Sequence, residues 1–287
     1  MNLFDLHSDA PTVLFEGLKS VVSFAPKIQK QVQTYAIFVR DDAKNPYRYY
    51  SSVLSNLKSK INFPINDLFK DKSVLLAVEG GAVLEGKREN LFKLFLDGIM
   101  VLSLTWNGET ALAGGVNTDK ELTRFGKTII SEMNKLGMVL DLSHLNDKSF
   151  YKAVELSNFP IATHSNSRSV FEHKRNLNDK QLDLIKEKGG LIGINFYPAF
   201  LGNENPFESI YKHLSYMLDL ELLDNIAIGS DFDGAKMSET LDSTEKIPLL
   251  YEYLDKRGIN IAILDKIFYR NALNFFQNVF DIRDKML

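Results

Sequence analysis

The chain has 287 residues, of which 45% are hydrophobic and 25% are charged, and its formal net charge is -3. This composition is typical of a globular protein with a hydrophobic core, and the charge argues against a nucleic-acid partner or a polybasic membrane-binding patch. There is no cysteine, so disulfides and thiolate metal ligands are excluded. No apolar run has the length of a membrane span and the N-terminal residues do not resemble a signal peptide, so we expect a cytoplasmic protein.

Eight short runs rich in Val, Ile, Leu and Ala recur along the chain, with amphipathic segments between them. The runs are nearly continuous in apolar residues, which is typical of parallel strands buried on both faces. The predicted strands are Asn2–His7, Gln33–Val39, Val74–Glu79, Ile99–Thr105, Met138–Ser143, Pro160–Thr163, Gly190–Phe196 and Asn225–Gly229.

Amphipathic patterns predict helices in four of the intervening segments. These segments are residues 119–137, 178–190, 205–223 and 243–258. In the first, apolar residues recur at helical spacing up to Gly137. The second begins with Asn178 and has Gln181 three residues later, the pattern of a capping box. In the last, Pro248 indicates a helix that starts later than residue 243.

Strands that alternate with helices over this length predict an α/β fold, specifically a (β/α)8 TIM barrel that forms one catalytic domain over residues 1–287. An open, doubly wound sheet is the alternative fold. In a TIM barrel the active site lies at the C-terminal ends of the strands, so the residues that follow each predicted strand are the first candidates for function.

Polar side chains follow most of the predicted strands, and three of the five histidines are among them. In chain order they are His7, Asp9, Glu79, Asn107, His144, His164, Tyr197, Asp231 and Asp233. Each has an ordinary explanation when taken alone: a histidine can be hydrogen-bonded in the core, Asp9 can cap the next turn, and Asp233 before Gly234 is typical of a turn. Together they would bury several unpaired charges in one barrel mouth, which is energetically costly.

A divalent metal ligated by these imidazoles and carboxylates would remove most of that cost. Nitrogen and oxygen ligands without sulfur favour Zn²⁺, with Mn²⁺, Fe²⁺ and Co²⁺ as alternatives. Five good ligand candidates exceed what one ion needs, which indicates two ions about 3.5–4 Å apart. We assign His7 and Asp9, which face the same side of a strand, to one ion. His144 and His164 are assigned to the second ion, and Glu79 bridges the two.

Longer segments of the chain resemble the membrane dipeptidase (renal dipeptidase) family. They include DLHSDAP, AVEGG, LSLTWN, LTRFGKTIISEMNKLGMVLDLSHLND, THSNSRSVFEHKRNLNDKQLDLIKEKGGLIGINFYPAFL, IAIGSDFDG and YRNALNFF. The resemblance extends over nearly the whole length. It implies a TIM barrel of the metal-dependent hydrolase type, with two zinc ions held by the same five ligands.

The resemblance also implies an activity, the hydrolysis of small dipeptides, including those with a C-terminal D-residue, by a hydroxide that bridges two zinc ions. It implies that Arg175 binds the C-terminal carboxylate of the dipeptide, that Asp231 carries the proton, and that Tyr197 contacts the substrate. On their own, Arg175 would be an ordinary surface arginine and Tyr197 a packing residue of the barrel rim. Because relatives are often dimers, a homodimer is a further expectation.

Trp106 departs from the family pattern, because renal members have a histidine there that is thought to polarise the scissile carbonyl. Either Asn107 or the metal ions would take over that role, or the pocket would accept a different substrate. The segment between Asp9 and the second strand is also short, which could change the range of substrates.

Two alternative functions stay open. One is a metal-dependent barrel amidohydrolase that acts on another small amide, a lactone or a β-lactam. Such enzymes often use a carbamylated lysine as the metal bridge, and no lysine lies at the end of the fourth strand. The other alternative is a non-catalytic binding protein. Of the remaining histidines, His213 is predicted to lie at the surface of a helix beside Tyr211 and Lys212, and His173 is assigned no role.

Overall fold

A closed barrel of parallel strands forms the centre of the computed structural model, which describes residues 1–202 and 205–286. The strands are β1 Leu3–Asp5, β2 Gln31–Phe38, β3 Lys72–Glu79, β4 Val101–Ser103, β5 Val139–Asp141, β6 Pro160–Ala162, β7 Leu191–Ile194 and β8 Ile226–Ile228. Each strand pairs with the next in sequence order, and β1 also pairs with β8. The predicted TIM barrel is confirmed, and the open sheet is excluded.

Helices surround the barrel. Within the described residues they are α1 Ala10–Phe15, α2 Pro46–Lys60, α3 Arg88–Leu96, α4 Arg124–Lys135, α5 Asp147–Leu156, α6 Asp179–Glu187, α7 Pro198–Leu201, α8 Pro206–Asp219, α9 Ile247–Lys256, α10 Ile261–Asp265 and α11 Asn271–Met286. A π-helical stretch, Lys266–Arg270, joins the last two. None of the helices described here combines the length and the apolar character required to cross a bilayer.

The four predicted helices correspond to α4, α6, α8 and α9. The capping box of α6 is present, because Asn178 and Gln181 each accept a hydrogen bond from the backbone N–H of the other. Helix α9 begins at Ile247, which agrees with a delayed start at Pro248 in its first turn. Local patterns therefore predicted the helix ends to within a few residues.

The N-terminal end of the barrel is covered by apolar side chains of α11. Phe276 of α11 stacks on Phe4 of β1 with ring centroids 5.3 Å apart, and both side chains are fully buried. They belong to a core cluster that includes Val32 of β2 and Leu75 of β3. Because this end is covered, the C-terminal ends of the strands are left to form a polar pocket.

His213 is fully buried in α8, so the predicted surface position is wrong. Its Nδ1 accepts a hydrogen bond from the backbone N–H of Ser167 at 3.3 Å, and its Nε2 donates to the carbonyl of Leu201 at 3.3 Å. The prediction of a surface position relied on the neighbouring Tyr211 and Lys212, which do not indicate the direction of the His213 side chain. Three positions before His213 lies Ile210 and four after it lies Met217, both buried, so the imidazole shares their apolar face.

Acid should destabilise the fold through His213. Burial lowers the pKa of this imidazole from 6.5 to about 4. Its contribution to the free energy of unfolding is therefore intact above pH 6.5 and is lost as the pH falls through about 4, a loss of at most about 3 kcal/mol. We expect His213→Gln to show a smaller fall in stability than the wild type over this range, measured by urea unfolding at each pH. The wild type measured over the same pH series is the reference, and an identical pH dependence for His213→Gln would contradict the assignment.

Candidate metal centre

The C-terminal ends of the strands surround one pocket of about 370 Å³. Its lining includes Asp9, Glu79, Trp106, Asn107, His144, Tyr197 and Asp231. His7 and His164 are almost completely buried and contact the residues of this lining. The structure thus brings all five predicted metal ligands together.

Glu79, the last residue of β3, lies at the centre of this cluster. Its Oε1 is 2.7 Å from Nε2 of His144 and 3.6 Å from Nε2 of His164. Its Oε2 is 3.7 Å from Nε2 of His7, which is in turn 3.5 Å from Oδ2 of Asp9. The two oxygens of one carboxylate therefore face the two ligand groups that the sequence assigned to separate ions.

The donor atoms fit a divalent metal ion. Ligand atoms of His7, Glu79 and His164 all lie within 4.8 Å of one another, and so do those of His7, Asp9 and Asp231. Separations of 3.5–3.7 Å between these atoms exceed a good hydrogen bond. They are close to the roughly 3.3 Å that separates two ligand atoms bound tetrahedrally to one zinc. Nε2 of His7 and Oδ1 of Asp9 are also buried without a hydrogen-bond partner in the described part of the chain.

Two imidazoles face each other within the cluster. Nε2 of His144 is 2.9 Å from Nε2 of His164. Nδ1 of His144 is 2.9 Å from Oδ1 of Asn107, an acceptor, so the His144 proton lies on Nδ1 and the lone pair on Nε2. A proton or a cation between the facing nitrogens stabilises this arrangement.

The segment after β1 carries the candidate ligands His7 and Asp9 toward the pocket. Strand β1 ends at Asp5, and beyond it Ser8 forms an isolated bridge with Phe232. Asp9 precedes α1 but makes no side-chain capping hydrogen bond, so the capping explanation does not account for it.

His144 and Asp231 have φ angles of 70° and 63°, in the left-handed region. Non-glycine residues adopt this conformation rarely, although Asp and His are enriched in it, and strained residues cluster at active sites.

Gly234 allows the loop after β8 to approach the carboxylates. A Cβ atom at this position would lie 2.3 Å from Oδ2 of Asp9 and 2.5 Å from Oδ1 of Asp231. The neighbouring Asp233 has a different environment: it accepts hydrogen bonds from Ser20 Oγ at 2.5 Å and from Val21 N at 3.1 Å. Asp233 therefore holds the segment around Ser20 against the pocket rim.

Burial and mutual charge shift the acid–base properties of the cluster. Burial raises the pKa of Glu79 well above its ordinary value, and it raises the pKa of Asp231 to about 6. For His7, burial alone would lower the pKa, but the charge of Glu79 and the interaction with Asp9 outweigh it and raise the pKa to about 10. The cluster thus stabilises positive charge at His7.

The other two histidines are shifted in the opposite direction. Burial lowers the pKa of His144 and of His164 well below the ordinary value, and the positive charge of Arg175 contributes to both shifts. Both imidazoles are therefore neutral at physiological pH, which is the form that ligates a metal.

Arg175 is buried close to the cluster, with 5% of its surface exposed, rather than lying on the surface. Its guanidinium has one long hydrogen bond, from Nη2 to the carbonyl of His164 at 3.4 Å, and its Nε has no partner among the described residues. It lies 5.4 Å from the ring of Phe200, which lines the pocket, although Arg175 itself does not. A buried guanidinium whose Nε–H has no partner among the described residues is suited to bind an anion.

Three residues that support the cluster, Asn195, Asp141 and Thr163, were not predicted from the sequence. Asn195, directly after β7, donates from Nδ2 to Oδ2 of Asp231 at 3.0 Å. Asp141, at the end of β5, accepts a hydrogen bond from the Thr163 hydroxyl at 2.7 Å. Their positions at strand ends were the available signal, but polar residues that act through another side chain have no motif of their own.

A closed parallel barrel whose C-terminal mouth holds clustered imidazoles and carboxylates defines the class of barrel metallohydrolases. The sequence profile of the family described as "Membrane dipeptidase (Peptidase family M19)" matches residues 47–287. The chain therefore belongs to this family of metallopeptidases. His7 and Asp9 lie before the matched range.

Individual relatives agree with this placement. An uncharacterized Klebsiella pneumoniae protein from the pqqA 5′ region is 32% identical over 217 residues, 70% of this chain and 80% of the relative. An uncharacterized dipeptidase of Schizosaccharomyces pombe is 30% identical over 256 residues, 84% of this chain but only 62% of the yeast protein. The fold is that of a Rhodobacter sphaeroides metallo peptidase liganded with a phosphinate mimic of L-Ala-D-Ala, at TM-score 0.88 and 22% identity, covering 97% of this chain and 99% of that chain.

Proposed function

We propose that this protein is a zinc-dependent dipeptidase that hydrolyses small dipeptides, including those with a C-terminal D-residue. The observation that carries the proposal is the position of Glu79, whose two oxygens face His144 and His7 from opposite ends of one carboxylate. The dipeptide mimic bound by the Rhodobacter sphaeroides metallo peptidase supports the choice of an L,D-dipeptide as substrate.

In this proposal the five clustered side chains hold two divalent ions. His7 and Asp9 would hold one ion, His144 and His164 would hold the other, and Glu79 would be a ligand of both. The unpartnered Nε2 of His7 and Oδ1 of Asp9 support this assignment. Two such ions, when bound, supply an acidified water and polarise the peptide carbonyl.

Asp231 transfers the proton in the proposed reaction. Asn195 holds Oδ2 of Asp231 by a hydrogen bond, so we assign proton transfer to Oδ1. A pKa of about 6 lies near neutral pH, which suits a carboxylate that accepts a proton from the attacking water and returns it to the leaving nitrogen.

Arg175 provides the recognition of substrate length. Its guanidinium, with an Nε–H that has no partner among the described residues, is suited to the C-terminal carboxylate of a dipeptide. A longer peptide would place its carboxylate elsewhere and leave the buried guanidinium unpaired, which discriminates strongly against it. Tyr197 and Asn107 line the pocket and complete the proposed substrate-binding surface.

Hydrolysis of another small amide, a lactone or a β-lactam is the second candidate function. The observation that favours it is Trp106, which lines the pocket in place of the histidine of renal members and contacts Phe38 edge-on with centroids 5.3 Å apart. A cytoplasmic location, a homodimeric state, the absence of a nucleic-acid partner and a single catalytic domain over residues 1–287 stay predictions.

The substrate class is tested with purified protein loaded with zinc. We expect about two zinc ions per chain by elemental analysis, and faster hydrolysis of L-Ala-D-Ala and Gly-D-Ala than of lactones or β-lactams. L-Ala-L-Ala is the matched stereochemical control, and chelator-treated protein should be inactive. Hydrolysis of lactones or β-lactams, with no hydrolysis of the dipeptides, would favour the amidohydrolase alternative. Bound zinc without turnover of any of these substrates would favour a binding protein.

Asp231→Asn should keep both zinc ions and lose about two to four orders of magnitude in kcat, because the amide cannot carry the proton. The measurement is kcat on L-Ala-D-Ala together with zinc content. Asp233→Asn is the matched control, because its carboxylate contacts Ser20 and Val21, and it should stay within about threefold of the wild type. Unchanged turnover of Asp231→Asn would remove this residue from the mechanism.

Arg175→Ala should raise KM for free dipeptides far more than it lowers kcat, because it removes the partner of the substrate carboxylate. The same dipeptides with an amidated C-terminus should lose little further activity on this background. The exposed Arg40, which pairs with Asp42, provides the control substitution Arg40→Ala. Equal losses for free and amidated substrates would show that Arg175 does not bind the carboxylate.

A further inference from the structure

Thr163, the residue after β6, places its hydroxyl at the centre of a buried hydrogen-bond cluster. Its Oγ1 is 2.7 Å from Oδ2 of Asp141, 2.7 Å from Nδ1 of His164 and 3.3 Å from Nδ1 of His7. Oγ of Ser143 is further away, at 3.4 Å. Thr163 is 1% exposed, so water does not compete for these contacts.

The direction of each hydrogen bond follows from the carboxylate of Asp141. Its Oδ1 accepts from the backbone N–H groups of Ser143 and Thr163, at 2.9 and 3.0 Å. Its Oδ2 accepts from the Thr163 hydroxyl, because an ionised carboxylate has no proton to donate. The single hydroxyl proton is thereby used, and the oxygen keeps two lone pairs that can only accept.

Those two lone pairs face Nδ1 of His164 and Nδ1 of His7. Each Nδ1 must therefore carry its proton and donate it to the hydroxyl. In a neutral imidazole with a proton on Nδ1, the lone pair lies on Nε2. Nε2 is the atom that both histidines direct toward Glu79.

We propose that Thr163, oriented by Asp141, is a positioning residue that fixes the tautomers of His7 and His164 so that both Nε2 atoms are free to bind metal. The proposal rests on the proposed function, in which these histidines ligate different ions. The Thr163 hydroxyl then orients one proposed ligand of each ion, and its removal should lower the affinity of both sites for metal. His144 is independent of Thr163, because Asn107 orients it.

The test compares zinc affinity in three single variants by competition with a chromophoric chelator. Thr163→Val removes the hydroxyl at nearly constant volume and should weaken zinc binding about 10–100-fold. Thr163→Ser restores the hydroxyl and should stay within about threefold of the wild type. Thr34→Val is the matched control, because the Thr34 hydroxyl is equally buried but has no hydrogen-bond partner in the described structure.

Asp141→Asn tests the direction of the hydrogen bonds separately from the presence of the hydroxyl. Because the oxygen at Oδ1 is held by two backbone N–H groups, the new amide places its NH₂ at the Oδ2 position and donates to Thr163. The hydroxyl proton then turns toward a histidine Nδ1, which forces a proton onto Nε2. We expect weaker zinc binding and, in long-range ¹H–¹⁵N spectra of histidine-labelled, zinc-depleted protein, a change of the His164 tautomer that Thr163→Ser does not show.

The outcomes separate this inference from the proposed function. Zinc affinity of Thr163→Val equal to that of the wild type and of Thr34→Val would overturn the positioning role. Loss of affinity in Thr163→Val, rescue in Thr163→Ser and a tautomer change in Asp141→Asn support it, even if no dipeptide is hydrolysed. A wild-type protein that binds no divalent ion would overturn both.

Discussion

Closure of the barrel between β1 and β8 is the constraint on which the candidate metal centre depends. Asp5, fully buried at the end of β1, accepts hydrogen bonds from Ser230 N at 2.8 Å, from Ser230 Oγ at 2.5 Å and from Gln33 Nε2 at 2.8 Å. One carboxylate thus joins the first, second and last strands. His7 lies two residues after Asp5, and Asp231 follows Ser230, so the same bonds fix the distance between residues from the two ends of the chain.

The charges and the burial of the pocket side chains favour the binding of a cation. Burial raises the pKa of Glu79, whereas the nearby carboxylates raise that of His7, so both shifts favour bound positive charge in the same small volume. At the opposite side of Glu79, His144 and His164 are neutral and direct lone pairs inward. A divalent ion would satisfy both sides of Glu79 at once, because it would replace protons near His7 and accept the lone pairs of the other two imidazoles.

The sequence predicted the barrel and the convergence of the five proposed ligands because both depend on simple rules: buried parallel strands are continuously apolar, and their C-terminal ends share one edge. Six of the eight hydrogen-bonded strands are shorter than the predicted runs, whereas β2 and β3 each begin two residues earlier than predicted. His7 and His144 lie beyond the ends of β1 and β5. The position of His213 was wrong because polar sequence neighbours outweighed its helical spacing to Ile210. Asn195 and Thr163 were missed because their roles depend on partners from other strands, which local patterns do not report.

The loop after β4 contributes both to the candidate metal centre, through Asn107, and to the pocket wall, through Trp106. Asp41 accepts hydrogen bonds from the backbone N–H groups of Trp106 and Gly108, at 2.9 and 2.7 Å, and so fixes Asn107 between them against His144. The loop therefore contacts the candidate metal centre through Asn107, which is hydrogen-bonded to the proposed ligand His144. The Trp106 indole offers one N–H donor and a large apolar face, so it cannot exchange protons as a histidine does. Trp106 and Phe38 together form an aromatic part of the pocket wall.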